Sequence, residues 1–285
     1  MGGYDFGVLW QAGRAVWLGH DPYRVSGFYY PLPVAYIFAL LAPLPRQPAL
    51  WVWLALNLAL LGWRLRRRIV EWALYFPLLH LFSSGQIDLV LWALGSRLHT
   101  GWRSALAAAV ITLKPQVALI VLPWTLWRWL QEDRRTLGMW AALTVGLWGC
   151  LFPVDPTWPR RWQSAVPPLG PLSRGNSPGL WSLERLLPQA WPVLLALSAA
   201  VFVWGLFQSR PVSWAATALA NPSGMFYDLL VLMEAAPPWL MVPLSWIVVG
   251  LSLWWRAIFP WLIIPLAVIL YHRFHGPSRG EEMGK

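Results

Sequence analysis

The chain has 285 residues, of which 58 % are hydrophobic and only 12 % charged. Soluble domains run at about 45–50 % apolar and about 25 % charged, so this composition suits a membrane as solvent and excludes disorder, collagen, a disulfide scaffold and a secreted soluble enzyme. The formal charge of +10 lies in short basic clusters between apolar runs, the loop pattern of a multi-span protein, which argues against nucleic acid as a partner.

In chain order, residues 1–28 read as an external surface segment carrying Asp5, Arg14, His20, Asp21 and Arg24, with a surface helix flanked by Asp5 and Asp21. Helical spacing is weak over Arg14–Leu18, and Asp21-Pro22-Tyr23 stops any helix there. No basic region followed by an apolar stretch opens Met1–Trp10, so no cleavable signal peptide is visible. Residues 29–152 are expected to hold transmembrane helices, with apolar runs near 29–44, 48–63, 69–82, 87–98, 104–113, 116–130 and 136–152. Cys150 stands alone in the last of these runs, which precludes an intrachain disulfide and predicts a small buried hydrophobe.

Residues 153–189 form a long external loop rich in Pro and Trp, with Arg160, Arg161, Arg174 and Arg185, and are expected to cap the bundle at the interface. Residues 190–272 return to transmembrane helices, near 190–207, 212–221, 226–236, 238–255 and 258–272, and 273–285 read as a cytoplasmic tail. Many runs fall short of the about 17–25 residues that a spanning helix needs. The predicted fold is therefore all-α: a polytopic integral membrane helix bundle of about nine to eleven helical elements, several short or broken.

Orientation follows from arginine. The clusters at 64–68, 97–103, 128–135, 210 and 273–279 are expected inside. Alternating helices then bring Ser83–Asp88, Lys114–Gln116, the 153–189 loop and Asn221–Asp228 together outside. With Asp5 also outside, residues 29–63 must cross an odd number of times, although they read as two helices with prolines at 31, 33, 43 and 45.

Ionisable groups among apolar helices are costly, about 2.5–3.5 kcal/mol for Lys or Asp at a helix centre, and mark candidate sites. Lys114 reads either as a helix-end lysine snorkelling to the interface or as a fixed cation for a phosphate. Asp88, in Gly85-Gln86-Ile87-Asp88, reads as a helix cap or a site residue. Asn221–Asp228 reads as a plain helix break or a site wall. Asp5 and Asp21 read as caps or solvated acids when taken alone, and His20, His80 and His99 as structural. No metal-ligand spacing, Ser/His/Asp signature or Gly-rich phosphate loop is present.

Several short motifs occur in order: Asp5-Phe6, Gln11-Ala12-Gly13-Arg14-Ala15, Gly19-His20-Asp21-Pro22-Tyr23, Phe28-Tyr29-Tyr30-Pro31-Leu32-Pro33 and Ala42-Pro43-Leu44-Pro45. Gly85-Gln86, Leu113-Lys114-Pro115-Gln116 and Asn221-Pro222 through Tyr227-Asp228 complete them. Over roughly residues 4–235 the chain resembles glycosyltransferase family 87, of the glycosyltransferase-C superfamily, which includes polyprenyl-phosphate-mannose-dependent mannosyltransferases. That family carries a transmembrane helix before its catalytic Asp, whereas this chain begins almost at Asp5.

The resemblance implies a multi-pass enzyme of the plasma (inner) membrane, with its active site facing outside, serving the cell envelope. Its donor would be a polyprenyl-phosphate-linked sugar, mannose or another hexose or pentose, and its acceptor a lipid or glycan, transfer proceeding with inversion. Asp5 would be the catalytic base, Lys114 and Arg14 would hold the donor phosphate, and Gln86, Asp88, Asp21, Tyr227 and Asp228 would contact sugar or acceptor. Membrane lipids are expected partners. No cofactor is implied, with a divalent metal left open. A transporter or flippase of a lipid-linked or anionic substrate is the alternative, as is an inactive, truncated member of the family.

Overall fold

Phe6, Leu9, Trp10 and Gly13 recur at i, i+3, i+4 and i+7, all are buried, and they make Tyr4–Trp17 an α-helix. The computed structural model describes residues 3–168 and 176–275, and within them all regular structure is helical. In chain order the helices are α1 (Tyr4–Trp17), α2 (Leu32–Ala39), α3 (Arg46–Leu65), α4 (Ile69–Trp72), α5 (Phe76–Ser84), α6 (Asp88–Gly95) and α7 (Trp102–Ile111). They continue as α8 (Pro115–Glu132), α9 (Arg134–Gly149), α10 (Trp158–Ala165), α11 (Trp191–Leu206), α12 (Arg210–Ala220), α13 (Pro238–Trp255) and α14 (Ile263–His275). Short 3-10 turns, among them Pro22–Arg24, Leu180–Arg185 and Phe226–Leu232, lie between them. The helices are shorter and more numerous than the apolar runs predict, because prolines open α2, α8, α11, α12 and α13 and divide the runs.

The chain divides into two packed units. The first takes residues 3–70, 78–118 and 128–168. Here α1 lies so close on α2 that a Cβ on Gly13 would sit 2.4 Å from the carbonyl carbon of Phe38. Phe6 meets Phe38 edge to face and Phe38 packs on Trp53 with tilted rings, joining α1, α2 and α3 with centroids 6.1 and 5.0 Å apart. Buried alanines 105, 107, 108 and 109 let α7 approach α6 and α9 closely. Trp148 donates to the Thr112 hydroxyl at 2.9 Å and meets Trp158 and Trp162 of α10.

In the second unit, residues 71–77, 119–127 and 176–275, α12 is buried along its length from Val212 to Ala220. It packs on α11 and α14, and the Thr217 hydroxyl donates to the Ile120 carbonyl at 2.8 Å. Phe76, Phe226, Trp246 and Trp261 form an aromatic cluster, and Trp246 donates to the Leu74 carbonyl at 2.8 Å.

Three stretches among the described residues are long and apolar enough to cross a membrane: Arg46–Trp72, Pro188–Leu206 and Pro238–Trp255. Much of their apolar surface is uncovered by protein; Leu56, Val193 and Leu253 are 57, 66 and 74 % exposed.

Five expectations are refined or corrected. Residues 1–28 contain the helix expected between Asp5 and Asp21, but its Phe6, Leu9, Trp10 and Ala12 are buried in the first unit, where a surface helix was expected. Residues 29–63 hold the two helices expected, but unequal ones: α2 has eight residues, roughly 12 Å of rise against a hydrocarbon core of about 30 Å, so α3 alone among them is long enough to cross. Residues 226–232 form a 3-10 turn, not a span, because Pro222 and Gly224 interrupt the run before them. α14 continues through His275, three residues past the expected boundary, with His272 Nε2 within 2.6 Å of the Ala235 carbonyl and residues 273–275 exposed. Cys150, at the C-terminus of α9, is exposed. Arg174 and residues 276–285 lie outside the described residues.

Candidate functional site

The site is built around the turn that links α5 to α6. Gly85 takes φ 76°, the left-handed region that favours glycine, and a Cβ there would lie 2.6 Å from Cβ of Phe6. Only glycine lets the turn lie on the first turn of α1. The Gly3 N–H donates to the Ser83 carbonyl at 2.7 Å, and the Trp53 indole donates to the Gly85 carbonyl at 3.0 Å. Asp5 follows immediately in the first turn of α1 and is half-buried. Its charge is near enough to act on the His80 imidazole. No side chain caps α1, so the carboxylate also sits where the unfilled N–H groups favour a negative charge.

Arg46, the first residue of α3, donates from Nη2 to the Gly3 carbonyl at 3.2 Å. Its guanidinium lies 2.7 Å from where a Cβ on Gly7 would sit, so a cation rests on the turn that carries Asp5. From the other side, the Tyr30 hydroxyl donates to Gln86 Oε1 at 3.0 Å. Gln86 itself is 2 % exposed.

Two residues on, Asp88 accepts from Lys114 Nζ through both carboxylate oxygens, at 2.6 and 2.8 Å. The pair is buried: Asp88 is 0 % and Lys114 3 % exposed. Lys114 therefore does not snorkel, and its charge is balanced inside the protein. Nor does Asp88 cap α6, whose N-cap is Ile87.

Asp21 has two bonds. Oδ1 accepts the Tyr23 N–H at 2.9 Å, the local turn that its place before Pro22 predicts. Oδ2 pairs with Arg161 of α10 at 2.7 Å, and Arg161 also pairs with Asp155. Trp162 donates to the Tyr29 carbonyl at 2.8 Å. These bonds hold α10, part of the expected cap, on the segment that ends in Tyr30. Burial, opposed by the Arg161 charge, keeps the Tyr23 phenol protonated well above its ordinary range.

Arg14 is not brought to Asp5. It is exposed, stacks over Trp10 at 5.2 Å, and lies nine residues along the same helix, roughly 13 Å of rise. Tyr227 and Asp228 belong to the second unit. There Asn221 Oδ1 accepts from the Ser223 N–H and hydroxyl, both at 3.0 Å, and Asp228 Oδ2 accepts the Met225 N–H at 2.6 Å. Asp228 is 0 % exposed, and the Tyr227 ring packs on Phe226. Both acceptors thus shape the backbone between α12 and α13. Among the described residues, no three His, Cys, Asp or Glu side chains gather as for a metal.

Tyr30, Arg46, His80 and Arg161 were not singled out by the sequence as site residues. The one signal for Arg46 is its position directly after Ala42-Pro43-Leu44-Pro45. No family model, curated protein or solved structure matches the chain.

Proposed function

We propose that the protein is a membrane glycosyltransferase, moving a sugar from a polyprenyl phosphate to a hydroxyl of a lipid or glycan acceptor at the outer face. The observation that supports this best is the gathering, within the first unit, of Asp5, Tyr30, Arg46, Gln86 and the Asp88–Lys114 pair around one glycine turn. These residues come from separate stretches of chain, and most lie in the motifs that carry the family resemblance.

In this reading Asp5 is the general base. It takes the acceptor hydroxyl proton as the oxygen attacks the anomeric carbon, and the bond from that carbon to the phosphate oxygen breaks. The carbon inverts, and the phosphate leaves on its polyprenyl chain with an added negative charge. Arg46 is the cation best placed to meet that charge as it grows. Gln86, oriented by Tyr30, holds a sugar hydroxyl. Lys114, committed to Asp88, is a positioning residue that ties the start of α8 to the glycine turn.

The first unit also supports the orientation. Arg46 touches the Asp5 turn at one end of α3, while Arg64 donates to Ser96 at the other end, beside the 64–68 arginine cluster. Eighteen residues of helix separate them, roughly 27 Å, close to the thickness of the hydrocarbon core. With the arginines inside, Asp5 faces outside.

The test is transfer by the purified chain in lipid nanodiscs, given a radiolabelled polyprenyl-phosphate hexose and candidate hydroxyl acceptors. Asp5→Asn keeps the shape and removes the base, so turnover should vanish while donor binding and melting temperature persist. Arg46→Gln should lower turnover about 10²-fold, as loss of a charge-stabilising donor does. Full turnover with Asn at position 5, or no sugar release from any such donor, overturns the reading.

A further inference from the structure

At the far end of α3 the first unit holds a second feature. Between α3, α6 and α7 the packing leaves a crevice of about 230 Å³. Leu60, Val90, Leu94 and Ala107 give it an apolar wall, and Trp63 forms part of its edge, 54 % exposed. Two arginines complete the lining, Arg97 and Arg103. Arg97 stacks over the Trp63 ring at 3.9 Å and Arg103 over Trp102 at 5.6 Å, so both guanidiniums are held against aromatic faces. Both are exposed, neither is ion-paired with an acid among the described residues, and no acid lines the crevice. The 64–68 arginine cluster adjoins it, with Arg64 bonded to Ser96 at 2.9 Å.

We propose that this crevice binds an anionic phospholipid, with part of one acyl chain on the apolar wall and the phosphate between Arg97 and Arg103. Charge selects the headgroup. Two cations without counter-ions favour a phosphate diester that brings no ammonium of its own, and guanidinium forks match phosphate oxygens in pairs. The wall selects the tail, since a free phosphate leaves Leu60, Val90 and Leu94 uncovered. Basic pockets between membrane helices, beside a basic cluster, are the usual setting for such headgroups. The crevice is separate from the sugar-transfer site: Trp63 and Arg46 lie seventeen residues apart on α3, roughly 25 Å. The lipid is thus a structural or regulatory ligand, and its binding is read without any assay of transfer.

The experiment is native mass spectrometry of the full chain, released from nanodiscs of equal phosphatidylglycerol and phosphatidylcholine. Phosphatidylglycerol should be retained selectively. Arg97→Gln and Arg103→Gln should each cut retention roughly fivefold, and the double variant about 25-fold, from the usual worth of a basic residue at an anionic surface. Arg67→Gln removes the same charge from outside the crevice and should change retention less than twofold. Ala107→Phe fills the crevice at constant charge and should reduce retention as well; the arginine variants, being on the surface, carry the test if this one misfolds. Equal retention of both lipids, equal loss with Arg67→Gln, or displacement by millimolar inorganic phosphate alone would each overturn the proposal.

Discussion

Breaking the Asp88–Lys114 pair from one side should be far more damaging than replacing both partners. The two side chains are 0 and 4 % exposed and share two short hydrogen bonds. Lys114→Met leaves a buried carboxylate alone, and Asp88→Leu leaves a buried ammonium. Losing one partner of such a pair costs about 3–5 kcal/mol. Neutralising the survivor sets the ceiling, because shifting an ordinary carboxylate or amine to its neutral form at pH 7 costs about 4–5 kcal/mol. The double variant Asp88→Leu/Lys114→Met removes both charges with little change of volume and should lie within about 2 kcal/mol of the parent. The coupling energy is then at least about 4 kcal/mol, far beyond the additivity error of about 0.5 kcal/mol. Unfolding in nanodiscs, followed by the fluorescence of the 24 tryptophans, measures all four proteins. Additive single effects would mean that the two charges do not meet, and the assembly of the site around the glycine turn would fall with them.

Three further outcomes are expected. Asp21→Asn keeps the acceptor for the Tyr23 N–H and weakens only the half-exposed pair with Arg161; it should cost at most about 1 kcal/mol and leave transfer within twofold, whereas loss of transfer in a folded variant moves the base to Asp21. Gly13→Ala places a methyl 2.4 Å from the Phe38 carbonyl carbon, so α1 and α2 must part at a cost of about 2–3 kcal/mol, and an unchanged melting temperature would show that they do not touch. Thr136 donates to Asp133 Oδ2 and accepts from the Gly101 N–H, and its hydroxyl, before its own N–H, holds the Asp133 carboxyl below its ordinary range. That depressed value stabilises the fold above the unfolded carboxyl range near 3.9, and the contribution is lost as pH falls through the folded value. Thr136→Val should return Asp133 toward the ordinary range in an NMR titration and flatten stability at low pH; an unmoved titration would contradict the bond.

The composition and apolar spacing of the chain by themselves determine the helical character of the described residues and their helices long and apolar enough to cross a membrane. These are sums over neighbouring residues, and α3 and α13 carry them in single uninterrupted stretches. Proline and glycine punctuation was legible too, as in the Asp21 turn, because its bond closes within three residues. The burial of α1 was not legible: Gly7 and Gly13 thin its apolar stripe, and what requires them is the Arg46 guanidinium and the Phe38 backbone lying where a Cβ would be. The sequence marked Lys114, Asp88 and Gln86 as costly groups among apolar helices, yet it gave the lysine only the interface or a phosphate to meet. Only the tertiary structure chose Asp88, twenty-six residues away, and set Arg46 on the Asp5 turn. Helix formation depends on local spacing, but which charges meet depends on where helix ends converge, and that is settled by packing between segments remote in the chain.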